Sequence, residues 1–152
     1  MEKSKLNIHR IKEKTGDIKE SLAILSQYTK QKDQDFLSNP EAIRSARYCF
    51  IVLAEAATNI AAHLCARLLY KAPSTYAESF YILGEYNLID PFLAQRLGKM
   101  MGFRNLLIHG YGNIDNKQML QIMHHDLTDL KLYLLAIEKL IHKQEGEIQN
   151  EK

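Results

Sequence analysis

Cysteine is nearly absent from this chain: Cys49 and Cys65 are the only two in 152 residues. They form no CxxC pair, which leaves no disulfide framework and points to reduced, buried thiols in a cytosol. Charge of one sign is also missing. Twenty Lys and Arg against eighteen Asp and Glu give a formal +2, too little for a protein that blankets nucleic acid with positive charge. Any nucleic acid must be gripped by a local cluster of cations, or by two subunits pooling theirs. No apolar run approaches the length that crosses a bilayer, and Met1 to Lys5 lead into a charged amphipathic stretch rather than a signal peptide. There is no HExxH, no metal-spaced cysteine set and no glycine-rich phosphate loop, and no serine or cysteine sits in a nucleophile motif. No metal and no nucleotide cofactor is therefore expected. Strands are unexpected too, since no stretch joins β-branched alternation to hairpin signals. What remains is a soluble, cytoplasmic chain with room for one domain and one core, at an ordinary 46% apolar and 25% charged.

Apolar residues recur at spacings of three and four, as on helices that face a common core. One such series runs Ile8, Ile11, Thr15, Ile18, Leu22, Leu25. A second runs Ile43, Ala46, Phe50, Leu53, Ala57, Ile60, Leu64, and a last one Leu120, Met123, Leu127, Leu130, Leu134, Ile137, Ile141. The three prolines are punctuation. Ser38-Asn39-Pro40 offers a capping side chain followed by proline at the first helical position. Pro73 ends the second helix by disfavouring helical geometry at Ala72. Thr75 with Glu78 reads as a capping box for a short third helix ending near Asn87. Asp90-Pro91 opens a fourth helix that stops at Gly110, and Asp115 caps a fifth. The expected fold is all-α, an up-and-down four-helix-type bundle of about five helices over residues 1–143, followed by a polar tail over 144–152.

Within the fourth helix, Phe103-Arg104-Asn105-Leu106-Leu107-Ile108-His109-Gly110-Tyr111 sets a guanidinium, a carboxamide, an imidazole and a phenol within nine residues. Arginine grips phosphate oxygens through a planar fork, and histidine moves protons near neutral pH. Such a set can handle a phosphodiester without a metal. Arg104 falls on the apolar stripe of Leu93, Leu97, Met100, Leu107 and Ile108, where an unpaired charge is costly. Either Gly98 and Gly102 break the helical phase, or Arg104 points into a polar cleft between helices or subunits. Asn105 and His109 are four apart and share a face. Arg104 and His109 are five apart, about 140° around an ideal helix, so they converge only if the helix ends at Gly110 or a second chain contributes. The plainer reading of the pair is a surface ion and a terminal cap.

On the second helix Glu55, Asn59 and His63 recur every four residues, near Tyr48, Val52 and Ala56. That mixture suits a wet interface or a solvated helix back. Arg44 and Arg47 offer local positive charge near one end. His124 and His125, adjacent on a helix, point apart and make no chelating pair.

Arg104-x4-His109-x-Tyr111, with Asn105 directly after the arginine, resembles the signature of the HEPN superfamily. More narrowly the chain is similar to HepT-like proteins, toxin partners of minimal nucleotidyltransferases. The resemblance extends from the helix carrying Arg47 and His63, through Pro73, Phe80 and Leu83, to the closing helix. It implies a homodimer whose paired motifs face one cleft, and a metal-independent endoribonuclease acting on RNA. Arg104 would bind the scissile phosphate, His109 would act as general base or acid, and Asn105 would orient His109. A cognate MNT-type nucleotidyltransferase antitoxin would add AMP to Tyr111, placing a bulky anion where RNA phosphate should sit. An alternative stays open: a non-catalytic binding or scaffold subunit of a nucleotidyltransferase, favoured by the near-neutral charge and the lack of an aromatic surface for stacking bases.

Overall fold

Seven helices make up the described part of the chain: α1 (Ile8–Thr29), α2 (Asp33–Leu37), α3 (Pro40–Leu68), α4 (Tyr76–Glu85), α5 (Pro91–His109), α6 (Asn116–His125) and α7 (Leu127–Asn150). The computed structural model describes residues 6–109 and 115–150, the last four by backbone alone. Among the described residues there is no strand.

Local chemistry sets most of the boundaries. Asn39 accepts from the backbone N–H groups of Glu41 and Ala42, with Pro40 at the first helical position. Asp90 accepts from Phe92 and Leu93 at 3.1 and 3.0 Å and so caps α5. Asp115 does the same for α6. Thr75 accepts from Glu78 N–H at 3.0 Å, while the Glu78 carboxylate reaches back to the Ser74 N–H at 2.9 Å. The capping box is thus displaced by one residue from its usual form.

Four expectations need correcting. The helix count is seven among the described residues, not about five. One addition is α2, too short for a period to show; it buries Phe36 completely against the Tyr28 ring, centroids 5.4 Å apart. The other comes from a break at Asp126, which ends α6 with its N–H on the Ile122 carbonyl. Every apolar residue of the last series is buried on both sides of that break. Second, α3 ends at Leu68, before Pro73, because Tyr70 takes a left-handed conformation (φ 55°) and the Lys71 N–H closes back on the Cys65 carbonyl. Third, the segment from 144 continues α7 to Asn150 rather than leaving the helix, and Glu145 pairs with Lys12 of α1 at 3.3 Å. Fourth, α3 is long and apolar enough to cross a membrane, although 61% of its most apolar window is buried inside the bundle. Its apolar faces are spent on the core.

That core is organised around α3. Alanines 42, 46, 54, 56, 57 and 61 are all buried, and such small side chains let neighbouring helices come close. The neighbours run antiparallel: Asn7 of α1 meets His63 and Met101 of α5 meets Thr58. Helix α7 returns along α1 through the Lys19–Glu138 and Lys12–Glu145 pairs, and is pinned to α5 by Arg96 on Asp129 at 3.0 Å. Tyr133 of α7 is fully buried and donates to the Ala57 carbonyl at 2.9 Å. Burial holds both thiols in the protonated form: it raises Cys49 and pushes Cys65 up to about 11.

Helices α4 and α5 form a hairpin whose closeness depends on glycine. A Cβ at Gly84 would lie 2.5 Å from the Ala94 Cβ and 3.3 Å from the Pro91 Cα, and one at Gly98 would strike the Tyr81 ring. Gly84→Ala is therefore expected to destabilise the fold by about 1–3 kcal/mol through overpacking. Gly16, in an exposed turn of α1 with nothing near its missing Cβ, gives the opposite result: Gly16→Ala should stabilise by about 0.5–1 kcal/mol. Paired urea titrations measure both, and a Gly84→Ala variant as stable as the parent would show that the hairpin has slack.

Candidate active site

Arg104 is a cation on a core-facing helix, between buried Phe103 and Leu107. Its side chain is only 12% exposed, so the guanidinium needs a counter-charge and filled hydrogen bonds. The α3 carboxylate supplies the first: Arg104 Nη2 pairs with Glu55 Oε1. Helix α4 supplies a phenol. The Tyr76 ring lies beneath the guanidinium, 4.4 Å from ring centre to Cζ, in cation–π geometry. The Tyr76 hydroxyl donates to Glu55 Oε2 at 3.1 Å and sits 3.4 Å from Arg104 Nη2. Arg104, Glu55 and Tyr76 thus close a triangle across three helices. Burial first, and then the bond to Glu55, raise the Tyr76 phenol above its ordinary range, which keeps it a proton donor.

The triangle decides between the two explanations for Arg104. Helix α5 runs unbroken through Gly98 and Gly102 to His109, so those glycines do not shift its phase. Arg104 points into a polar cleft between helices. Its Nη1 donates to Asn105 Oδ1 at 3.0 Å, and its buried Nε has no partner among the described residues.

The remaining residues singled out in the sequence separate into three groups. Asn105 is exposed and turned to Arg104; among the described residues no hydrogen bond joins it to His109. His109 is the exposed last residue of α5. Tyr111, with Gly110 and Gly112, lies outside the described residues. The α3 stripe does not act as one face. Glu55 turns to Arg104, and Asn59 donates to the Glu55 backbone carbonyl at 2.8 Å. His63 accepts the Asn7 N–H at 3.0 Å and so ties the start of α1 to α3. Tyr48, on the same stripe, is 70% exposed while Ala56 is buried. Arg44 is exposed, and Arg47 donates to Asn116 Oδ1 at 2.8 Å, fixing α3 to the first turn of α6.

Sequence reasoning missed Tyr76. One signal was present: Tyr76, Phe80 and Leu83 lie at helical spacing on one face of α4, and Phe80 and Leu83 are fully buried. A phenol on such a stripe needs a polar partner.

Chemically, the triangle holds a guanidinium flat and oriented, with one edge neutralised by a carboxylate. A phosphate that reached it would find a preset donor fork, and would compete with Glu55 for Nη2. Beside it, Glu55, Thr58, Asn59, Ser74, Thr75 and Tyr76 line a cleft of about 260 Å³ between α3 and α4.

Residues 18–137 match the family model described as "Ribonuclease HepT-like". The chain belongs to this ribonuclease HepT-like family. It is 29% identical over 113 residues to the tRNA nuclease HepT of Aphanizomenon flos-aquae, covering 74% of this chain and 77% of that one. It is 29% identical over 108 residues to the mRNA nuclease HepT of Shewanella oneidensis, covering 71% and 78%. Among solved structures it superimposes on the tri-AMPylated Shewanella oneidensis HEPN toxin in complex with MNT antitoxin. That match has a TM-score of 0.79 and 25% identity, over 88% of this chain and 98% of that chain. The HepT-like resemblance and the all-α expectation both hold.

Two measurements probe the site as built. Tyr76→Phe keeps the ring beneath Arg104 and removes the bond to Glu55; a loss of about 0.5–1.5 kcal/mol is expected in urea unfolding, and no loss would mean the hydroxyl is idle. The second concerns pH. His63 must be neutral to accept the Asn7 N–H, and burial, then Arg67 and Arg10, lower its pKa below 6.5. A folded-state pKa below the unfolded one means that the unfolded chain binds the extra proton. The stabilisation is therefore complete above 6.5 and is lost as pH falls from there through the depressed value. His63→Gln keeps an acceptor and removes the titration, so its stability should fall less than the parent's between neutral pH and pH 5; parallel curves would count against the assignment.

Proposed function

We propose that this chain is the toxin of a toxin–antitoxin pair: a metal-independent endoribonuclease, cytoplasmic and homodimeric, silenced when a cognate MNT-type nucleotidyltransferase transfers AMP to Tyr111. The observation that carries the reading is the preset Arg104 fork in a chain of the HepT-like family, whose relatives above are named as nucleases of tRNA and mRNA. The AMPylated toxin–antitoxin complex of similar fold supports the control step.

In this reading His109 takes the proton from a ribose 2′-hydroxyl, whose oxygen attacks the adjacent phosphorus. The bond from phosphorus to the 5′-oxygen breaks, and a protonated histidine returns a proton to that leaving oxygen. The products are a 2′,3′-cyclic phosphate and a free 5′-hydroxyl. Arg104 stabilises the charge that builds on the phosphoryl oxygens in between. The 140° between residues five apart on a continuous helix supports a cleft shared by two chains, because α5 stays helical through His109. Asn105, bonded to Arg104, would hold the fork rather than the imidazole. AMP on Tyr111 would add an anion close in sequence to both groups.

The resting pairing of Arg104 with Glu55 favours one further reading, in which the fork is permanently filled and the chain is a non-catalytic partner of the nucleotidyltransferase. One set of proteins separates the two. Arg104→Ala and His109→Ala, checked for retained helicity by circular dichroism, should each lower RNA cleavage at least roughly 100-fold and relieve growth inhibition. Coexpression with the nucleotidyltransferase should add AMP-sized mass increments that vanish in Tyr111→Phe. Variants that cleave RNA like the parent would remove Arg104 and His109 from the chemistry; modification of a chain with no nuclease activity in its unmodified form would select the partner reading.

A further inference from the structure

A near-neutral chain that handles RNA needs a local grip, and α3 points to where it lies. Glu55, Asn59, His63 and Arg67 stand four residues apart, a stripe about 18 Å long at 1.5 Å per residue. One end meets Arg104 through Glu55. Asn59 lines two hollows at once: the cleft beside Tyr76, and a smaller one that it shares with Arg10, Lys14 and His63, where α1 crosses α3. Asn59 therefore stands between the Arg104 site and a cluster of cations, with a hollow on either side of it.

Among the described residues Arg10, Lys14 and Arg67 enter no ion pair, as is true of most lysines and arginines here; what sets them apart is that they gather around His63. The nearest acid in sequence, Glu13, is engaged by His9 at 3.6 Å. Burial first, and then the neighbouring Arg67 and Arg10, depress the protonation of His63, so both guanidinium groups stand near that ring. Arg10 and Arg67 are exposed and Lys14 is partly so. Apart from Glu55, the cleft beside Tyr76 is lined by uncharged groups, Asn59, Ser74 and Thr75 among them. Such a lining accepts a strand that slides past without reading it, while cations at the far end hold its phosphates.

We infer that Arg10, Lys14 and Arg67 form a phosphate-binding subsite that holds the single-stranded flank of an RNA substrate, with the Asn59 stripe as the track joining it to Arg104. The inference rests on the reading of the chain as an RNA-cleaving protein, and it makes grip and chemistry separable. Phosphates away from the scissile bond are bound here, on α1 and α3, and contribute affinity but no bond breaking. The three cations come from a single chain, so in a dimer each protomer would carry its own track to the shared cleft.

The test uses full-length protein carrying His109→Ala, so that binding is read without cleavage, and the same charge changes in the active parent. The probe is a fluorescein-labelled single-stranded RNA long enough to follow the stripe, titrated by anisotropy over a range of salt. Arg10→Glu, Lys14→Glu and Arg67→Glu together should weaken binding roughly 10-fold or more, and should flatten the plot of log K against log salt by about 2, from three contacts at roughly 0.7 each. The corresponding glutamine set should act in the same direction and less strongly, and it guards against a reversal that disturbs folding. In the active parent, cleavage of a dinucleotide too short to reach the cluster should be unchanged by either set. If the parent binds and cleaves RNA and both sets leave its affinity and salt slope intact, the subsite is overturned alone. If the sets instead weaken association with the nucleotidyltransferase and not with RNA, the patch is a protein-docking surface and the subsite is overturned. A parent that neither binds nor cleaves RNA overturns the functional reading, and the subsite with it.

Discussion

A guanidinium placed on a buried helix face is the constraint from which the architecture of this site follows. Arg104 is nearly sealed from water, so it can be tolerated only where a carboxylate and a π-face are brought to it by other helices. Glu55 comes from α3 and Tyr76 from α4. The register of α3 against α5, and the closeness of α4 to α5 permitted by Gly84 and Gly98, are thereby tied to one side chain. Packing and chemistry are coupled at this point: a shift of one helix by a turn would leave a charge without its partner. Glu55 does two things there. It satisfies Arg104 through one oxygen and accepts from the Tyr76 hydroxyl through the other.

How much of this the sequence revealed depended on whether the signal was local. Asn39-Pro40, Asp90-Pro91, Thr75 with Glu78 and Asp115 are caps whose partners lie within a few residues, and each marks a real helix start. The break at Asp126 was hidden because apolar spacing continues in phase across it. Helix α2 was hidden because five residues are too few for a period. The end of α3 was hidden because a tyrosine, and not glycine or asparagine, adopts the left-handed conformation. The site behaved likewise. Arg104 on an apolar stripe was visible as a conflict, and Glu55 as a polar residue at helical spacing, but their meeting depends on how two distant helices register. No spacing rule contains that.

Helix α3 joins these threads. Its alanine-rich side lets neighbours close in, its carboxylate meets Arg104 of α5, and its far end meets the start of α1 through His63. The same property that lets it pass for a membrane span by length and composition makes it the shared wall of the bundle. In a chain of almost balanced charge the few carboxylate-paired cations among the described residues, Lys12, Lys19, Arg96 and Arg104, are spent on joining helices.

The two shielded thiols have a practical meaning. With Cys65 pushed up to about 11 and Cys49 also raised by burial, almost no thiolate exists at neutral pH, and alkylating reagents and peroxide find nothing to attack while the helices stay packed. Both sulfurs sit on α3, the central wall, so labelling at either one reports that the bundle has opened. The folded chain thus carries its own gauge of integrity.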